Sequence, residues 1–103
     1  MGELNVFITK EQTDSSLVFC LDGRFDTNTA DIFKDTFAEC FTESITSFTV
    51  DMEKVDFVSS AAVRALTTAY KQLPQGALHV INANKTVHDV FALQDLLTKF
   101  DVR

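Results

Sequence analysis

The chain has 103 residues, with fifteen Asp and Glu against nine Lys and Arg, a formal net charge of −6. Such a length is one domain, and it buries roughly two thirds of its unfolded surface, enough to fold without a metal or a disulfide. The negative balance repels phosphate backbones and anionic lipid, which sets aside nucleic acid and peripheral membrane binding, and with no apolar run of bilayer length no direct membrane insertion is expected.

Ten phenylalanines and no tryptophan supply a bulky apolar core. Met1-Gly2-Glu3 opens onto alternation rather than an apolar block, so no signal peptide is read there. No apolar run has bilayer length. A reducing cytoplasm is the expected location. Leu4, Val6 and Ile8 alternate as in a strand. Thr13-Asp14-Ser15 reads as a turn, and Ser16 to Leu21 as a central strand forming an antiparallel hairpin with the first. Asp22-Gly23-Arg24-Phe25-Asp26 breaks that pattern. Thr27, Asn28 and Thr29 then offer N-caps for a helix with Ala30, Phe33, Phe37 and Cys40 or Phe41 on its apolar stripe. Cys20 and Cys40 both sit among apolar neighbours and are expected to be buried thiols.

Phe48, Val50 and Met52 alternate as a third strand, after which Val55 and Phe57 are expected to pin a loop. A second helix follows Ser60, apolar at Ala62, Val63, Leu66, Ala69, Tyr70 and Leu73, and stopped by Pro74-Gln75-Gly76. Leu78, Val80 and Ile81 form a fourth strand. Asn84 caps a short helix carrying Val87, Val90 and Phe91. Leu96, Leu97 and Phe100 close the chain as a short helix or an edge strand. The order β-β-α-β-α-β-α predicts an α/β domain over residues 1–103. Its sheet is mixed, with four to five strands and helices mainly on one face.

Chemistry-bearing candidates are few. Ser59 and Ser60 stand where the second helix starts. A serine there caps the helix, and a serine within reach of a kinase is also a charge switch; the two roles are compatible. Loops after successive parallel strands gather at one sheet edge, which predicts that Asp26, the 51–56 region and Ser60 lie together. Asp26 and Asp51 are weak candidates for a metal or acyl-phosphate site. His79 and His88 have no Cys or His at ligand spacing, and three glycines make no phosphate-binding loop. No catalytic or metal residue is assigned.

Phe57-Val58-Ser59-Ser60-Ala61-Ala62-Val63-Arg64-Ala65-Leu66 resembles the signature of STAS domains of the anti-sigma factor antagonist type: aromatic, aliphatic, Asp or Ser, Ser, Ser or Ala, Gly, Leu. Leu21-Asp22-Gly23-Arg24-Phe25-Asp26, followed by Thr29-Ala30, is similar to that family's Gly-x-aliphatic-Asp turn. Asn84 through Phe91 is similar to its late capped helix. The resemblance spans nearly the whole chain. Here Ala62 stands where glycine is usual, and Ser59 where aspartate is common. The resemblance implies a STAS-like fold and a regulator that is not an enzyme and needs no cofactor. It implies binding of a serine kinase that is also an anti-sigma factor, loss of that binding on phosphorylation of Ser60, and reversal by a serine phosphatase. It places the partner-binding patch at Asp26, Thr27, Ser59, Ser60, Ala61 and Arg64. Other STAS domains are unphosphorylated subunits of membrane transport complexes for lipids or anions, and that is the alternative.

Overall fold

A computed structural model describes residues 7–103. Four strands, β1 (Ile8–Gln12), β2 (Ser16–Phe25), β3 (Ser47–Val58) and β4 (Leu78–Ile81), lie side by side in chain order. β1 and β2 form the expected antiparallel hairpin, closed by a turn in which the Thr13 N–H donates to the Ser16 carbonyl at 2.8 Å. β2, β3 and β4 run parallel. The crossovers between them carry α1 (Thr27–Cys40) and α2 (Ser60–Gln72), and α3 (Lys85–Leu93) follows β4. Leu4 and Val6, read as part of the first strand, lie outside the described residues; β1 begins at Ile8.

Period-2 alternation sorts the sheet into two faces. Leu17, Phe19 and Leu21 of β2, Phe48, Val50 and Met52 of β3, and Leu78 and Val80 of β4 are buried in one core with the apolar stripes of the helices. Alternate residues such as Thr9, Cys20 and Glu53 face away from that core and are exposed. This corrects the expectation for Cys20. Its apolar sequence neighbours point to the covered face, while Cys20 itself points to the bare one. Cys40, on the inner stripe of α1, is buried as expected.

Two segments differ from their sequence reading. β2 does not stop at Asp22 but continues to Phe25, and β3 runs on to Val58, absorbing the loop expected around Val55 and Phe57. The pairing register explains why. Cys20 pairs with Asp51 and Asp22 with Lys54, then Gly23 pairs with Val55 and Arg24 with Phe57. At each shift β3 holds one residue more than β2, the mark of a β-bulge. Inward positions on β3 therefore run 48, 50, 52, 55, 58. Val55 is buried, whereas Phe57 is turned outward and 37% exposed rather than pinned inside. Gly23, opposite the bulged stretch, has φ +107°, which a side chain adopts only with strain.

The last segment is neither of the two elements expected of it. Residues 94–101 form successive turns, and Val102 then makes a single parallel bridge to Val80.

Candidate functional site

Parallel pairing sets the geometry of the sheet end where α1 and α2 begin. Phe25 is paired with Val58, and the Ser59 N–H donates to the Phe25 carbonyl at 3.0 Å. The two helix starts are thus tied together by backbone, and Asp26 and Ser59 follow directly from that pair.

Asp26 is the N-cap of α1. Its Oδ1 accepts from the N–H groups of Asn28 (3.1 Å) and Thr29 (3.2 Å). In return Thr29 Oγ1 accepts the Asp26 N–H at 2.8 Å and donates to the Arg24 carbonyl at 2.7 Å. The Thr29 N–H bond, first among several, holds the Asp26 carboxyl below the usual aspartate range. Of the caps offered by the sequence, Thr29 is the reciprocal partner; Thr27 and Asn28 are the first turn. The Arg24 guanidinium stands 3.9 Å from Asp26 and lies over the Phe57 ring, 4.2 Å from its centroid.

The two serines divide. Ser59 has extended backbone (φ −93°, ψ 172°), and its Oγ accepts the Ala62 N–H at 3.2 Å, so Ser59 is the cap of α2. Ser60 is the first helical residue; it is exposed, and its hydroxyl makes no hydrogen bond among the described residues. Ala62 has ordinary negative φ and is fully buried, so its methyl group is packed into the core without backbone strain.

Beside Ser60 a shallow groove of about 290 Å³ runs between α1 and α2. Thr27, Asp31 and Lys34 line it from α1, and Ala61, Arg64 and Thr68 from α2. Thr27, Ala61 and Arg64, named from the resemblance, therefore share one groove; Ser60 precedes Ala61 in the chain and is not itself part of the lining. Asp31 and Lys34, an ion pair at 3.6 Å, and Thr68 were not singled out. Their spacing, one helical turn apart behind Thr27 and Arg64, is the signal that would have found them.

Asp51 is not at this end. It pairs with Cys20, five residues before Phe25 on β2, which is roughly 17 Å along a strand. Its carboxylate accepts from the Glu53 N–H (3.0 Å) and the Asn82 side chain (3.1 Å). The expected meeting of Asp26, the 51–56 region and Ser60 thus fails at the Asp51 end of that region, because β3 continues to Val58 and leaves Asp51 well back from the helix starts, whereas Asp56 lies two residues before the closing Phe25–Val58 pair. No group of three or more His, Cys, Asp or Glu among the described residues is arranged to hold a metal. His79 is engaged instead with Asp101, its Nδ1 2.6 Å from Oδ2.

Residues 7–103 match the sequence pattern of the STAS domain. The chain belongs to the STAS domain family. A relative from Bordetella bronchiseptica, named "Putative anti-sigma factor antagonist BtrV", is 27% identical over 97 residues, 92% of this chain and 84% of the relative. Among solved structures, an anti-sigma factor antagonist from Mycobacterium paratuberculosis superposes with a TM-score of 0.80 at 20% identity, over 92% of this chain and 82% of the other. The phosphorylated form of the Bacillus cell fate determinant SpoIIAA superposes with a TM-score of 0.69 at 19% identity, over 93% and 90%. These structural likenesses establish a shared STAS fold, the mixed four-stranded sheet with three helices described above. No helix among the described residues is long and apolar enough to cross a membrane.

Proposed function

We propose that this STAS domain is an anti-sigma factor antagonist of a partner-switching pathway. Unmodified, it binds a serine kinase that doubles as an anti-sigma factor; phosphorylation of Ser60 ends the binding, and a serine phosphatase restores it. The observation that carries this reading is the division of labour at α2. Ser59 satisfies the helix cap, leaving the adjacent Ser60 hydroxyl exposed and unengaged beside a groove. Names agree with it: the Bordetella relative is an antagonist by name, and a Bacillus protein of the same fold has been solved phosphorylated.

The physics of the switch is electrostatic. A phosphoryl group adds nearly two negative charges to Ser60. At a bare surface water solvates them, but inside a packed interface they cost several kcal/mol unless cations face them. Thr27, Ser60, Ala61 and Arg64 form the docking patch, while Asp26 and Ser59 hold its two helix starts in place. ATP and the metal for phosphoryl transfer belong to the kinase, so the chain acts without a cofactor, as a regulator rather than an enzyme. The reading places it in the cytoplasm with its kinase.

Phosphopeptide mapping after incubation with the kinase should give stoichiometric phosphate on Ser60 and none on Ser60→Ala. By calorimetry Ser60→Ala should bind the kinase as the parent does, and Ser60→Asp at least tenfold more weakly. Equal affinity of the two variants, or phosphate on another residue, would overturn the proposal. Copurification with a transporter ATPase instead of a kinase would favour the transport subunit.

A further inference from the structure

We propose that Arg64 is the internal counter-ion of the phosphoryl group on Ser60, so that the modified chain clamps its own charge. This rests on the reading of Ser60 as the acceptor and deepens it.

Ser60 and Arg64 are four residues apart on α2, both on its exposed side. Residues at that spacing are neighbours, and an anion one turn N-terminal to a cation is the favoured order. Helical side chains also lean toward the N-terminus, which carries the Arg64 stem back over the turn that holds Ser60.

Arg64 is also uncommitted. The chain has three arginines and a net charge of −6. Arg24 stands 3.9 Å from Asp26, and Arg103 stands 2.8 Å from Asp101. Among the described residues the Arg64 guanidinium has neither an ion pair nor a side-chain hydrogen bond; only its carbonyl is used, accepting from Thr68 Oγ1 at 3.0 Å. Asp31, the acid in the same groove, is paired with Lys34. A free guanidinium in an acidic chain, one turn from an exposed hydroxyl, is placed to meet an anion there. Its planar fork suits a phosphoryl group in a way that a point charge does not.

Pairing has a second effect. It draws the guanidinium from the α1–α2 groove toward the start of α2, so phosphorylation alters two features of the docking patch at once.

Phosphoserine incorporated directly at position 60 during synthesis makes the test independent of any kinase. Phosphorus NMR titration should show the second phosphoryl ionisation about 0.3 unit lower in the parent than in Arg64→Gln. Arg64→Lys should recover part of that shift, and the Arg64 Nε resonance should move on phosphorylation in the parent. Any effect of the helix start itself is common to these proteins and cancels. Identical titrations in the parent and Arg64→Gln would overturn the proposal. A kinase that ignores Ser60 would instead overturn the functional reading and leave this titration intact.

Discussion

Ser59 and Ser60 are chemically identical and adjacent, yet the fold gives them different work. Ser59→Ala removes the Oγ that accepts the Ala62 N–H, and an N-cap of this kind contributes about 1 kcal/mol. Ser60→Ala removes an exposed hydroxyl with no hydrogen-bond partner among the described residues and should change stability by less than about 0.5 kcal/mol. Urea denaturation of the two variants checks this; equal losses would mean that the cap is shared. The sequence alone showed that a serine caps this helix but not which one. That depends on where β3 ends, and β3 ends where Val58 pairs with Phe25, a partner more than thirty positions away. Cys20 was misread for a related reason. Its apolar neighbours in the chain are not its neighbours in space, because a strand places successive residues on opposite faces.

The three helices were legible because each repeats its apolar residues at helical spacing and starts in a run of capping residues; Asn84 was the cap expected, whereas the first helix is capped by Asp26, one position before the Thr27, Asn28 and Thr29 that the sequence offered. β3 was legible only as far as Met52. Beyond it the buried positions step by three instead of two, which no strand template fits, and the same stretch looked like a loop. The closing segment was ambiguous because its anchorage is tertiary. The Arg103 N–H donates to the Val80 carbonyl at 2.8 Å, and Asp101 is bonded by both Arg103 (2.8 Å) and His79 (2.6 Å). Those bonds, Arg103 foremost, hold the Asp101 carboxyl below its usual range. The unfolded chain therefore takes up a proton at Asp101 at a higher pH than the folded one. This contribution to stability is complete above the ordinary aspartate pKa of about 3.9 and fades as pH falls through the lower folded value. Asp101→Asn should melt below the parent at neutral pH, and the gap should narrow as pH falls from about 4 toward about 2. A gap that stays constant across that range would show that the charge on Asp101 has no part in holding the chain end.

Eight buried phenylalanines contribute to the core among the described residues. Phe33 of α1 is fully buried, with ring centroids 5.2 Å from Phe25, 5.5 Å from Phe19 and 6.0 Å from Phe48, so one side chain joins a helix to two strands. Phe33→Ala should cost about 3–5 kcal/mol. Domains of this size have roughly 5–15 kcal/mol in all, so the variant should unfold at markedly lower urea or not fold at ordinary temperature. A loss under about 1 kcal/mol would show that the site collapses around the missing ring. The paired bulges of β3 bear on the whole molecule in another way. One extra residue in a strand reverses which face every later side chain takes, and a second reverses it back. Position 58 is therefore inward, as it would be in an unbulged strand, and Ser59 leaves toward the helices. Across descendants of this gene, loss of either extra residue between Met52 and Val58 would remove its bulge and leave Val58 opposite the inward Phe25. Length in this stretch is thus expected to drift by one or two residues while that closing pair stays fixed.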